Sequence, residues 1–179
     1  MYKPHYWYHG NFYMIPEKID DIFNYIDKTP VKKLLDGSKN HLTTYFEGDD
    51  LSAFFTDFYD QVGAQIMKKI GLYSRTKFET TYWSQIYSKC MNHSSHNHCS
   101  FECEESIISW VHFINVPEQK CFKFTDNDGN VFYPPEQRNG DIIYFPSWAY
   151  HAVDPNETND IRVVIAGNIT VTDSYDIDE

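Results

Sequence analysis

Two histidines one residue apart, His96 and His98 in "SSHNHCSFECEE", are the first residues whose spacing could do chemistry. Residues i and i+2 of a strand share a face, so both imidazoles can reach one metal ion without backbone contortion. The pair alone leaves several readings open. His93, Cys99 and Cys103 could join a structural zinc site, since thiolate and imidazole suit zinc, although no second Cys-x2-Cys pair follows and Cys121 stands alone. The segment could be a polar loop with incidental histidines. Glu102 adds a third reading, because His-x-His-x3-Glu puts a carboxylate where a hairpin could return it to the same ion.

A second stretch, "GDIIYFPSWAYHAV" from Gly140 to Val153, holds His151 just after a strand that Pro146 ends. Arg162 follows eleven residues later inside the apolar run "IRVVIAGNI", with the turn-rich "DPNETND" between. A hairpin centred on that loop sets His151 and Arg162 opposite each other and facing the same way. An arginine buried on such a strand needs an anion, because an unpaired charge in an apolar interior is costly. A structural Asp or Glu is the ordinary partner. Beside a metal-binding histidine, a small carboxylate cosubstrate fits better, gripped by the guanidinium at one end and the metal at the other.

The elements that must position these residues change character along the chain. Pro16 to Asp36 reads as helical, interrupted at Pro30, with Ile19, Ile22, Phe23 and Ile26 at helical spacing. A short strand, Leu42 to Phe46, precedes a long helix capped by Asp49 or Asp50 and ending at Gly71. The apolar stripe of that helix, from Leu51 through Phe55, Phe58, Val62 and Ile66 to Ile70, is core packing. After Leu72 come alternating or apolar runs: "KFETTYWSQIYSK", "SIISWVHFINV", "KCFKFTD", "NVFY", "NGDIIYFP" and "DIRVVIAGNITV". Asp126 to Gly129, "DNDG", is a hairpin turn. Helices followed by many short strands predict an α+β, mainly β chain whose barrel or sandwich core is braced by N-terminal helices. We expect one domain over 1–179: helical support over 1–75, a β core over 76–172 and an acidic tail over 173–179.

Composition narrows the classes of function. At 179 residues the chain can bury a core, and 14 Tyr and 13 Phe favour strands over disorder. A net charge of −11 argues against nucleic-acid binding through a basic patch. No apolar run is long enough to span a membrane, and "MYKPHYWYHG" has no signal-peptide core. Free thiols are therefore expected of the four cysteines, in a soluble cytoplasmic protein.

Taken in order, "SSHNHCSFECEESIISWVHFINVPE", "GDIIYFPSWAYHAV" and "IRVVIAGNIT" resemble the core of the Fe(II)/2-oxoglutarate-dependent dioxygenases. The likeness is greatest to the small oxygenases of the prolyl-4-hydroxylase-like type found in marine bacteria and their phages. It covers Tyr82 to Thr170. The resemblance implies a double-stranded β-helix, or jelly roll, flanked by helices, with Fe(II) as cofactor and 2-oxoglutarate and O2 as cosubstrates. Hydroxylation of a small molecule or peptide, with release of succinate and CO2, is the implied reaction.

By motif position His96 and His151 match the first and last iron ligands, and Arg162 the residue that binds the far carboxylate of 2-oxoglutarate. Two positions depart from the pattern. His98 stands where a carboxylate is usual in the 2-His-1-carboxylate triad, which implies a three-histidine metal site. Val164 replaces a Ser or Thr, so Tyr82 or Tyr144 is expected to supply the second hydrogen bond to the oxo-acid. A cupin is the alternative on a similar barrel. It would bind metal through His96, His98, Glu102 and His151 and would have no use for Arg162.

Overall fold

The computed structural model describes residues 7–12, 16–28, 41–45, 52–99 and 106–174. The alternating and apolar runs of the second half form the strands β3 (Thr76–Tyr87), β5 (Ser106–Asn115), β6 (Phe122–Thr125), β7 (Val131–Phe132), β8 (Asp141–Pro146), β9 (His151–Val153) and β10 (Arg162–Ser174). A short strand, β4, spans His93–His96. The first half supplies β1 (Tyr8–Asn11), α1 (Pro16–Lys28), β2 (Leu42–Thr43) and α2 (Ser52–Lys69). Helix α2 ends as its sequence requires. Gly71 takes φ +79°, and the chain returns Leu72 N–H to the Met67 carbonyl at 3.0 Å. The expected second helical piece near residue 36, the caps Asp49 and Asp50, and Phe46 lie outside the described residues.

These strands make two antiparallel sheets, ordered β1-β8-β5-β10-β3-β2 and β4-β9-β6-β7, in the jelly-roll arrangement. Residues 8–11 and 42–43 form the outer strands of the larger sheet, so the N-terminal region contributes strands as well as helical support. Period-two alternation gives the larger sheet two faces. One packs on the helices, burying Ile22 of α1 and Phe55, Tyr59, Val62, Ile66 and Met67 of α2 with Trp110, Ile142, Tyr144, Val163, Ile165 and Ile169. The other faces the smaller sheet through Trp83, Tyr87, Val111, Phe113, Phe145, Val164 and Ala166, against Phe122, Phe124 and Val153.

A single row across the larger sheet shows how tightly the helix side is fitted. Tyr82, Gly167, Trp110, Tyr144 and Tyr8 are successive cross-strand partners. Tyr59 of α2 stacks on Trp110 with centroids 5.0 Å apart, and Tyr8 stacks on Tyr144 at 5.4 Å. Gly167 is the gap that admits the indole. A Cβ there would stand 2.3 Å from Trp110 Cζ2 and 2.5 Å from the Thr81 carbonyl oxygen, closer than any atoms can approach.

His112 of β5 is fully buried on this face. One ring nitrogen lies 3.0 Å from the Tyr59 hydroxyl and the other 2.7 Å from the Phe12 carbonyl. The carbonyl can only accept, so Nε2 carries the proton and Nδ1 accepts from Tyr59. Burial lowers its pKa from 6.5 to about 4, with the Phe12 carbonyl and Asp141 pulling weakly the other way. The unfolded chain then binds the extra proton between pH 6.5 and about 4. Stability falls as pH drops through that window.

Two outcomes are expected. Gly167→Ala should lower the unfolding free energy by about 2–3 kcal/mol in urea melts, the usual cost of overpacking. The unfolding free energy of the metal-free wild type from urea melts should decline from pH 6.5 to about 4, with this one residue contributing on the order of 3 kcal/mol. A His112→Gln variant should show a flatter pH profile.

Candidate active site

β4 and β9 pair antiparallel with His96 directly opposite His151. His98 lies beyond the end of β4, and its backbone N–H reaches the Ser147 carbonyl at 2.9 Å. One nitrogen from each of His96, His98 and His151 falls within 4.8 Å of the other two. Nδ1 of His96 donates to the Ser94 carbonyl at 2.9 Å, and Nδ1 of His151 donates to the Ala149 carbonyl at 3.0 Å. Both rings therefore present an unprotonated Nε2 to the cluster centre. The Nε2 atoms of His98 and His151 stand 3.4 Å apart. His151 is buried, enclosed by Phe122 and Phe145, and desolvation, then the neighbouring His96 and His98, hold its pKa well below the usual histidine value. Three converging imidazole nitrogens suit a divalent transition metal, so the donor set fits Fe(II).

Arg162 opens β10 and pairs with Tyr87 of β3. Only 3% exposed, it donates from Nη2 to the Gln119 carbonyl at 2.6 Å, while its buried Nε–H meets no acceptor. Among the described residues no carboxylate lies within ion-pair distance of it. Tyr87 is buried beside it and donates its hydroxyl to Gln85 Oε1 at 2.9 Å. Burial raises the Tyr87 pKa well above that of a free tyrosine, with Arg162 opposing the shift, so the phenol keeps its proton. Arg162, Tyr87, Gln85 and all three histidines line one pocket. Its remaining walls are largely apolar, among them Trp83, Val111, Phe113, Val164 and Ala166.

Several sequence expectations are redrawn here. His151 and Arg162 are not hairpin partners, because β9 belongs to the smaller sheet and β10 to the larger. They meet across the inter-sheet space. His98 reaches its place through the chain's turn toward Ser147 and not through strand parity. Tyr82 and Tyr144 do not point into the pocket: strand parity turns both to the helix side, where Tyr82 meets Tyr59 at 4.9 Å and Tyr144 stacks on Tyr8. Tyr87 and Gln85, unremarked in the sequence, are the polar residues beside Arg162. Gln85 is the cross-strand partner of Val164, so a polar group stands one strand over from the missing hydroxyl. Strand register was the signal that could have found both. His93, offered by the sequence to a structural zinc site, lines the pocket and stacks on His96 at 4.0 Å. Cys99 is exposed and free, and Glu102 and Cys103 lie outside the described residues.

Residues 81–168 match the family described as "Putative 2OG-Fe(II) oxygenase". The chain belongs to the 2OG-Fe(II) oxygenases. It is accordingly a 2-oxoglutarate-dependent oxidoreductase whose cofactors are Fe(II) and 2-oxoglutarate. No curated protein matches the sequence. Solved structures place the same fold around it. A Pseudomonas putida prolyl-4-hydroxylase superimposes with a TM-score of 0.67 at 13% identity, over 93% of this chain and 92% of that one. A Trichoplax adhaerens prolyl hydroxylase, in complex with a hypoxia inducible factor oxygen degradation domain peptide fragment, gives 0.60 at 12%, over 92% and 83%. HygX from Streptomyces hygroscopicus, with nickel, 2-oxoglutarate and hygromycin B bound, gives 0.63 at 10%, over 93% and 83%. Within this oxygenase no helix among the described residues is long and apolar enough to cross a membrane.

Proposed function

We propose that this oxygenase hydroxylates a small-molecule or peptide substrate, with release of succinate and CO2, at a centre where His96, His98 and His151 hold the iron and Arg162 holds the far carboxylate of 2-oxoglutarate. The observation that carries this is the buried guanidinium. A cation sealed between two apolar sheets, with no carboxylate of the described residues in ion-pair distance, is poised for an anionic ligand. The pocket that serves it also receives the three imidazoles. A cupin-like centre would leave that charge without purpose.

The residues divide the work by position. The iron, with 2-oxoglutarate and O2, supplies the oxidising power for insertion of oxygen into a C–H bond. The guanidinium orients the cosubstrate by a charge-assisted hydrogen bond, and its planar fork suits a carboxylate. The adjacent Tyr87 hydroxyl, which donates to the Gln85 amide oxygen in this structure, would turn its one proton to the cosubstrate as a second donor. Val164 contributes bulk and no hydrogen bond, so Gln85 and Tyr87 fill the polar role across the strand. Trp83, Val111 and Phe113 keep water from the far end of the pocket. With three neutral ligands, no protein charge offsets the metal's own, and the cosubstrate's carboxylates must do so.

Under anaerobic conditions the protein with Fe(II) and 2-oxoglutarate should develop a weak visible charge-transfer band. Under air it should form succinate. Absence of both would sink the assignment. Arg162→Ala should raise the Kd for 2-oxoglutarate by more than about 10-fold and leave metal affinity nearly unchanged, as expected from loss of a hydrogen-bonded charge. Tyr87→Phe should raise it by roughly 5- to 10-fold, for loss of one neutral hydrogen bond. Titration of the anaerobic band measures both.

A further inference from the structure

His98 stands outside any strand, yet its nitrogen must meet those of two residues held in a sheet. Its backbone is tied to Ser147, whose carbonyl accepts from His98 N–H at 2.9 Å. Ser147 is 1% exposed and is itself tied to the larger sheet three times. Its N–H donates to the Ile107 carbonyl at 3.1 Å, and its Oγ lies 3.1 Å from Ser106 Oγ and 3.2 Å from Ser109 Oγ. Ser109, also buried, donates onward to Asn168 Oδ1 of β10 at 2.9 Å. The turn that begins at Ser147 closes with Ala149 N–H on the Pro146 carbonyl at 2.9 Å, and the Ala149 carbonyl orients His151.

We propose that Ser147 is a positioning residue for the metal centre: the buried chain Asn168–Ser109–Ser147 sets His98 and His151 at the separation one ion requires. The inference rests on the three-histidine reading given above. The physical reason lies in burial and reach. Buried hydroxyls hold their partners because the alternative is an unsatisfied polar group, and here the chain of partners spans β5 and β10. Ser106 and Ser109 fix Ser147 to β5, Asn168 fixes that strand pair to β10, and Ser147 carries the result to two ligand-bearing segments at once. Removing the Oγ cuts the two side-chain ties of the turn to β5, leaves the Ser147 N–H on the Ile107 carbonyl, and leaves every metal-ligating atom in the chain. Ligand orientation through outer hydrogen bonds of this kind accounts for about 10- to 100-fold in metal affinity.

The test is anaerobic titration of metal-free protein with Co(II) alone, followed by its visible d–d absorption, with thermal melts of the metal-free forms. Wild type should bind one equivalent, and His98→Ala should bind far more weakly with an altered band; if His98→Ala binds as wild type, the three-histidine reading fails. With that reading secure, Ser147→Ala should bind Co(II) about 10- to 100-fold more weakly and with a shifted band, while its metal-free melt stays within a few degrees of wild type. Co(II) affinity within twofold of wild type and an unchanged band would overturn the positioning role. Should Ser147→Ala melt below the assay temperature, Ser109→Ala and Asn168→Ala break the same chain at its other links and are judged by the same thresholds.

Discussion

A guanidinium sealed inside an apolar sandwich is the constraint around which the rest of the structure makes sense. Arg162 sits at the first position of β10, the strand with the most extensive pairing in the larger sheet, running against both β3 and β5. A residue so fixed has little freedom to move its charge toward solvent. Desolvating that charge is costly unless an anion shares the space. The Gln119 carbonyl satisfies one nitrogen and leaves the net charge in place. The pocket beside it is the space open to such an anion, and the described residues keep their carboxylates out of ion-pair distance. The apolar side chains around it are the means of that exclusion as much as they are core.

The aromatic row on the other face of the same sheet explains why β10 can bear this strain of placement. Gly167 lets Trp110 settle between strands, and Tyr59 of α2 closes over it. The helix side is thus a rigid backing, continuous from Tyr82 to Tyr8, with the pocket on its reverse. Strand parity separates the two jobs. Odd positions of β10 from Val163 to Ile169 build the backing, apart from Gly167, which makes room for it. Arg162, Val164 and Ala166 build the pocket.

That same parity decides what could be read from the sequence. The strands of the second half, the hairpin at Asp126 to Gly129 and the end of α2 at Gly71 were legible, because alternation and glycine chemistry act locally. So were His96, His98, His151 and Arg162 as a set. Their route together was not legible. A short turn-rich loop between His151 and Arg162 reads as a hairpin, whereas Asn156 spends its side chain on the Tyr87 and Asp160 carbonyls and turns the loop into a bridge between sheets. Tyr82 and Tyr144 were attractive for their hydroxyls alone. Which face each hydroxyl occupies depends on register with β10, and register is a long-range property that no single segment carries. β1 was missed for the same reason: "YHGN" has no periodicity of its own and becomes a strand by pairing with β8, where Asn11 donates to Asp141.

In the proposed metal centre, His98 is the one ligand that regular structure does not deliver. β4 and β9 deliver His96 and His151 by direct pairing, and a rigid pair fixes two corners of a triangle. The third ligand comes from a segment whose described backbone tie is a single hydrogen bond to Ser147. A carboxylate in that place would bring a negative charge to hold the ion even if imperfectly aimed. A neutral imidazole binds through one lone pair and tolerates less misdirection, since its contribution vanishes when the ring turns away. Replacing charge by imidazole therefore shifts the burden from electrostatics to geometry. For the proposed centre, that shift gives a reason for buried hydroxyls, otherwise a polar intrusion between two hydrophobic sheets, to collect behind the one histidine of the three that no strand supports.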